Sequence, residues 1–211
     1  MDRTRTFIRQ ALLSGILTAG ILTGSLARAG EAAPQQQAVE NFLATLHKME
    51  FPVKDKARHE ELVKQANAYL DLEAMSKKAL AAHWQEAAPE EQNTFLDLMW
   101  KLIENVAYPR SSKFIGDFQI LYPEVKAADK GFEVHSVIKQ QEESLDAKVV
   151  YHVYQEGAQW KVDDIVLDDV SITEDLKYQF DKLVTQSKFA GLLDKMRERL
   201  ATAEKENFPA A

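Results

Sequence analysis

Val39, Phe42, Leu43, Leu46 and Met49 recur at helical spacing, and Pro52 closes the run. Asp55 can cap a second helix that buries Leu62, Val63, Ala66, Tyr69 and Leu70, and Asp71 a third that carries Leu72, Met75, Ala79, Leu80 and Trp84 on one face. Pro89-Glu90-Glu91 opens a fourth, because proline suits a first helical position and acids suit the positive end of the helix dipole. This helix is the most apolar. Its stripe of Phe95, Leu98, Met99, Leu102, Ile103 and Val106 is widened by Leu96 and Trp100 beyond what one buried face needs.

After Pro109 the period changes from helical to alternating, with Gly and acidic clusters at hairpin spacing. The pattern predicts strands over 118–125, 132–140, 147–155 and 159–168, joined by turns at 127–131, 141–146 and 156–158. Val149, Tyr151 and Val153 alternate with Lys148, His152 and Tyr154, so one face is buried. Connections this short make the sheet antiparallel. From Thr173 the helical period returns, through Leu176, Phe180, Leu183 and Val184 and then Leu192, Leu193, Met196 and Leu200. Helices, then strands, then helices predict an α+β domain in which helices cover one side of a curved four-stranded antiparallel sheet. The domain spans 38–203: helical over 38–108, sheet over 118–168, helical again over 173–203, with a frayed tail over 204–211.

The first residues follow a different logic. Arg3, Arg5 and Arg9 precede an apolar stretch, Ala11 to Leu26, interrupted only by Ser, Thr and Gly, and Ala27-Arg28-Ala29 reads as a cleavage site. The stretch is shorter than the ~20 apolar residues a membrane span requires. The expectation is a signal peptide over 1–29, cleaved after Ala29, then a flexible leader over 30–37 and a periplasmic mature protein. Cleavage would remove four Arg and one Asp and leave a net charge of −10.

Composition narrows the chemistry. With 45% hydrophobic residues the chain can fold, and with no cysteine it has no disulfide scaffold, thiol nucleophile or iron–sulfur site. A net charge of −7 argues against nucleic acid, whose phosphates demand a basic surface. Neither G-x-S-x-G, nor a P-loop, nor G-x-G-x-x-G occurs. His59-Glu60 begins like a zinc motif, but Val63 stands where its second histidine belongs, and the histidines at 47, 59, 83, 135 and 152 lack ligand spacing, so neither metal nor cofactor is expected. The alternative reading is a cone-fold isomerase-like enzyme in which Asp164, with His152, shuttles a proton; adjacent strand residues face opposite ways, so Asp163 and Asp164 cannot share a cavity, and a structural hydrogen bond is the favoured role for Asp164.

The sequence resembles the MlaC family, also called the toluene-tolerance or ABC-transporter auxiliary family. The likeness runs through Val149-Val150-Tyr151, Gln159-Trp160-Lys161-Val162-Asp163-Asp164-Ile165, Val170-Ser171-Ile172 and Lys177-Tyr178-Gln179-Phe180. Upstream it includes Tyr69-Leu70-Asp71-Leu72, Lys78-Ala79-Leu80-Ala81-Ala82-His83-Trp84, Pro89-Glu90-Glu91-Gln92, Phe95 and Tyr108. Asp169 and Ala81 stand where the family usually has Gly, and Lys177 where it has Arg. At Asp169 this bears on the turn, since Gly adopts backbone angles that Asp tolerates less readily. At Lys177 it weakens two-pronged recognition of a carboxylate or phosphate.

The resemblance implies a cone-like fold of the nuclear-transport-factor type with additional helices, without catalysis, acting as a periplasmic lipid carrier. Its implied partners are phospholipid, an outer-membrane lipoprotein complex, and an inner-membrane ABC transporter with its periplasmic lipid-binding component, which together maintain outer-membrane lipid asymmetry. A related branch accompanies hopanoid synthesis. Acyl tails would lie between sheet and helices. Phe118, Ile120, Val134, Ile138, Tyr151, Val153, Trp160 and Val162 are then candidates for one wall, and Leu98, Leu102 and Val106 for the other. Lys177 and Lys188 are the candidate headgroup contacts, although solvation is the simpler role for a lysine. An acidic body is steered away from anionic bilayers, which favours delivery through protein partners.

Overall fold

The computed structural model describes residues 32–115, 118–140 and 146–208; the expected signal peptide over 1–29, most of the turn over 141–146 and the last three residues of the expected tail lie outside these. The described chain belongs to one unit, Ala32–Ala211. Helix α1 spans Pro34–His47, α2 Lys56–Asn67, α3 Leu72–Leu80, α4 Ala82–Glu86 and α5 Pro89–Leu102. A π-helical turn, Ile103–Ala107, joins α5 to α6, Tyr108–Ile115. Strands β1 (Phe118–Ala127), β2 (Phe132–Gln140), β3 (Ala147–Glu156), β4 (Gln159–Leu167) and β5 (Val170–Ser171) follow, then α7, Ile172–Asn207. The strands form one antiparallel meander in the order β1-β2-β3-β4-β5.

The fold class is the expected one, helices on an antiparallel sheet, with a fifth strand of two residues added at the edge. Asp55 accepts from the Arg58 N–H at 3.0 Å and Asp71 from the Ala74 N–H at 2.9 Å, as N-caps do. Gly131, with φ 85°, makes the β1–β2 turn; a Cβ there would stand 2.1 Å from the Val153 carbonyl oxygen.

Several boundaries differ from the sequence reading, each for a local reason. The leader over 30–37 ends early, because Pro34 occupies the first turn of α1 and its fixed φ starts the helix there. The third helix breaks at Ala81, whose φ of 48° is not helical, so Trp84 belongs to α4. Pro109 does not end the helical half at 108: the helix continues to Ile115 through the π turn, in which Tyr108 N–H reaches the Ile103 carbonyl. Pro109 leaves the Asn105 carbonyl, four residues back, without its intrahelical donor. The Asn207 side-chain amide donates to that carbonyl at 2.7 Å. Val53 N–H in turn bonds the Asn207 carbonyl at 3.0 Å, so the tail expected to fray from Glu204 is ordered helix as far as Asn207. The two C-terminal helical stripes lie on two helical segments, as expected, which meet at a kink at Lys188 with φ 60° and ψ 178°.

The interior has two centres. One lies between α1, α2 and the sheet and contains Val39, Phe42, Leu46, Val134, Tyr151 and Val153. The other joins α3, α4, α5 and α7 through Leu72, Leu80, Phe95, Leu98, Phe189 and Leu192. Trp100 and Ile103 touch both. The broad stripe of α5 is thereby explained, since one side of it meets α7 and the other reaches toward the sheet.

Candidate functional site

An apolar cavity of about 240 Å³ opens in the sheet-side half. Phe42, Leu43 and Leu46 of α1 form its roof, and Ile138, Val149, Tyr151 and Ile165 of β2, β3 and β4 its floor. Val134 pairs with Tyr151 and Val149 with Leu167 across neighbouring strands, which keeps these side chains on one face of the sheet. Ile103, Ala107, Tyr108 and Ser111, from the π turn and α6, close one side. Leu167 and Ile172 line the cavity while remaining 43% and 38% exposed, so the opening lies at the β4–β5 turn. Val170, 58% exposed, continues this apolar rim.

The Tyr108 hydroxyl beside the cavity is engaged elsewhere. Tyr108 donates its hydroxyl to Asn67 Oδ1 at 2.7 Å, and Asn67 Nδ2 donates to Glu104 at 2.9 Å. Burial pushes the Tyr108 and Tyr151 phenols well above their ordinary range. Burial also raises the Glu104 carboxyl, against the opposing pull of the Asn67 hydrogen bond and Lys101. The walls therefore present hydrocarbon and neutral phenols, a surface that takes an apolar ligand and offers no ionised group to a polar one.

Of the candidate lining residues, the structure brings Ile138 and Tyr151 to the cavity. Val134, Val153 and Val162 are packed core beside it, and Ile120 packs against that core. Trp160 stands edge-on to Phe132 with ring centres 5.7 Å apart and lines a separate groove beside α1. Leu98 is buried in the second centre and Leu102 packs against it. Val106 faces a polar groove on the opposite side of α6. The Phe118 side chain lies outside the described residues. Val149, two residues from Tyr151 on the same face of β3, was within reach of the sequence pattern. The α1 and α6 residues were not, because nothing in a helical stripe says whether its partner is a side chain or a void.

Asp164 has a structural task. It accepts from Ser171 Oγ at 2.6 Å, Thr173 Oγ1 at 2.7 Å, Thr173 N–H at 3.2 Å and Ile165 N–H at 2.8 Å. Burial pushes its pKa up, but these hydrogen bonds outweigh burial and hold the carboxyl below the ordinary range. His152 is its cross-strand partner in register, yet the His152 ring nitrogen faces Glu133 at 3.9 Å. Asp163 is the extra residue of a β-bulge in β4, and its buried carboxylate meets Lys78 of α3 at 2.8 Å and Lys130 at 3.7 Å. Both aspartates thus fasten helices to the sheet. Lys177 is engaged by Glu174 at 3.0 Å, and Lys188 is exposed at the break in α7. Among the described residues no three of His, Asp and Glu gather to hold a metal ion.

A helical layer on an antiparallel sheet with an apolar cavity between them defines a binding fold of the α+β cone type. The MlaC protein family model matches residues 36–198, and the chain belongs to this family. No curated protein matches the chain. Among solved structures it is similar to the phospholipid-binding protein from Ralstonia solanacearum in complex with a phospholipid, with a TM-score of 0.67 and 23% sequence identity over 81% of this chain and 96% of that one.

Proposed function

We propose that this chain is a periplasmic carrier that shelters phospholipid acyl chains in the cavity between α1, α6 and the sheet, and shuttles lipid between an outer-membrane lipoprotein complex and an inner-membrane ABC transporter. The observation that carries this reading is the cavity itself, apolar on every wall and open to water at Leu167 and Ile172. Membership of the MlaC family and the phospholipid in the Ralstonia relative support it.

The energetics require such a device. An acyl chain in water costs about 0.8 kcal/mol for each exposed methylene, so a two-tailed lipid faces tens of kcal/mol in crossing an aqueous gap unaided. An aliphatic cavity of ~150 Å³ holds a benzene ring, and sites for drug-sized ligands begin near ~300 Å³. A volume of about 240 Å³ therefore takes a short stretch of hydrocarbon. Sheltering a whole phospholipid requires the cavity to widen beyond this volume. With a net charge of −10 after the expected cleavage, the carrier exchanges cargo through protein partners rather than at anionic bilayers.

Native mass spectrometry of freshly purified protein tests this reading, together with uptake of fluorescent phospholipid from vesicles. Adducts at phospholipid mass and measurable uptake are expected. Protein that carries no lipid and extracts none would overturn the proposal.

A further inference from the structure

On the side of α6 away from the cavity lies a groove of about 260 Å³ lined by Arg110 and Lys113 of α6 and Arg199 of α7. Arg110 and Lys113 are one turn apart and share a helix face. Arg199 is on the same face of α7 as Asn207, and the bond from Asn207 to the Asn105 carbonyl holds that face against the π turn, across from the two α6 cations. The arrangement is built by the fold: α6 presents Arg110 and Lys113 on the face away from the cavity, and the C-terminal helix brings Arg199.

Among the described residues none of these three cations lies within 4.0 Å of a carboxylate. Neighbouring cations do find partners: Arg197 pairs with Asp194 and Lys101 with Asp97, each at 2.8 Å. Like charges gathered in one groove repel, and a chain with 33 acids against 26 bases has acids to spare for neutralising them. Glu206 is the one acid on the groove wall, so the lining carries three positive charges against one negative. Two guanidinium forks and an ammonium supply more donors than the two oxygens of a carboxylate accept, and they match the several oxygens and double charge of a phosphate.

We propose that this groove binds a phosphate-type oxyanion, either a free phosphate ester or the phosphate of a lipid headgroup. The second source rests on the carrier reading, since a lipid carrier meets headgroup phosphates at its surface. The first source does not depend on it.

The test is NMR titration of the full mature protein, following the guanidinium signals of Arg110 and Arg199. The probes are inorganic phosphate, glycerol 3-phosphate and dihexanoyl phosphatidic acid, with sodium chloride at matched ionic strength as the control. Saturable shifts are expected that sodium chloride does not reproduce. Arg199→Gln and the pair Arg110→Gln/Lys113→Gln should each weaken binding roughly tenfold, the loss of a charged hydrogen-bond partner, while Arg197→Gln leaves it unchanged. All these side chains are exposed, so near-UV circular dichroism should show the fold retained. Shifts with all three probes identify a free ester as sufficient, and shifts with the lipid alone identify the headgroup. Silence with every probe, or binding undiminished in the charge variants, overturns the proposal. Phosphate binding by protein that never carries lipid would sink the carrier reading and leave the groove standing, whereas lipid adducts with a silent groove would do the reverse.

Discussion

The side-chain amide of Asn207 donates to the backbone carbonyl of Asn105 at 2.7 Å, across 102 residues of sequence. Pro109 has no N–H to offer that carbonyl, so the last turn of the chain supplies what the helix lacks. Asn207→Ala leaves a buried acceptor unsatisfied and should cost about 1–3 kcal/mol in urea unfolding. In a Pro109→Ala background the helix has its own donor, and the same substitution should cost markedly less. Equal costs in both backgrounds would show that the two residues are not coupled in this way.

Ala81 and Asp169 both have a positive φ, 48° and 68°, a backbone region that favours glycine. The chain keeps the backbone turn and bears the strain of a Cβ there. Ala81→Gly and Asp169→Gly should each stabilise the protein by about 1 kcal/mol, seen as a higher melting temperature. A drop in melting temperature for both would mean that the side chains contribute more than their backbone strain removes.

His83 links α4 to α7 through Asp181 at 3.0 Å and also meets Glu86 at 3.3 Å. The Asp181 hydrogen bond raises its pKa above the ordinary 6.5; burial opposes this, and Glu86 adds to the rise. A group whose folded pKa is raised lends its full stabilisation below the unfolded value, and loses it as pH climbs through the folded one. The melting temperature should therefore fall as pH rises above the ordinary histidine value of about 6.5, by an amount that His83→Gln abolishes. A variant with an unchanged pH profile would remove His83 as the source.

Asp164 anchors the start of α7, and its pKa is depressed. Its contribution is thus present above the ordinary carboxylate range and lost as pH falls through the lowered folded value. Asp164→Asn retains one accepting oxygen and turns its NH2 toward donors, so it should cost about 1–3 kcal/mol at pH 7. Phospholipid recovered per folded molecule should be unchanged. Loss of lipid at full stability would assign Asp164 to the cargo instead.

Ala107 is exposed yet borders the cavity, which makes it a place to fill that space from its edge without overpacking the core. Ala107→Trp should bring co-purified phospholipid to background, with a change in stability within about 0.5 kcal/mol. Undiminished lipid in this variant would locate the cargo elsewhere.

The sequence carried the strands and most helices because periods of two and of about 3.6 are local signals. It led to Tyr151 and Ile138 because strand alternation names a face, and that face holds the cavity. It could not say which helices border the void, for a physical reason. The apolar excess of α5 belongs to a second interior shared with α7, so Leu98 and Leu102 meet side chains there, while the void lies beside α1 and α6. Whether an aliphatic residue faces a neighbour or a gap depends on what lies across from it, a tertiary fact with no period. The Asn105–Asn207 bond is illegible for the same reason, although Pro109 within an amphipathic run announces that some carbonyl there needs a donor.

Trp100 and Ile103 pack against both interior centres, and most of the cavity lining belongs to the sheet-side half, with Met75 of α3 and Ile172 of α7 at its border. On the carrier reading, a lipid entering the cavity disturbs chiefly the sheet-side half, while α3, α5 and α7 keep most of their mutual packing. Amide hydrogens in those helices should exchange at the same slow pace whether the protein is empty or full, so an unladen molecule stays folded while it waits for its next passenger.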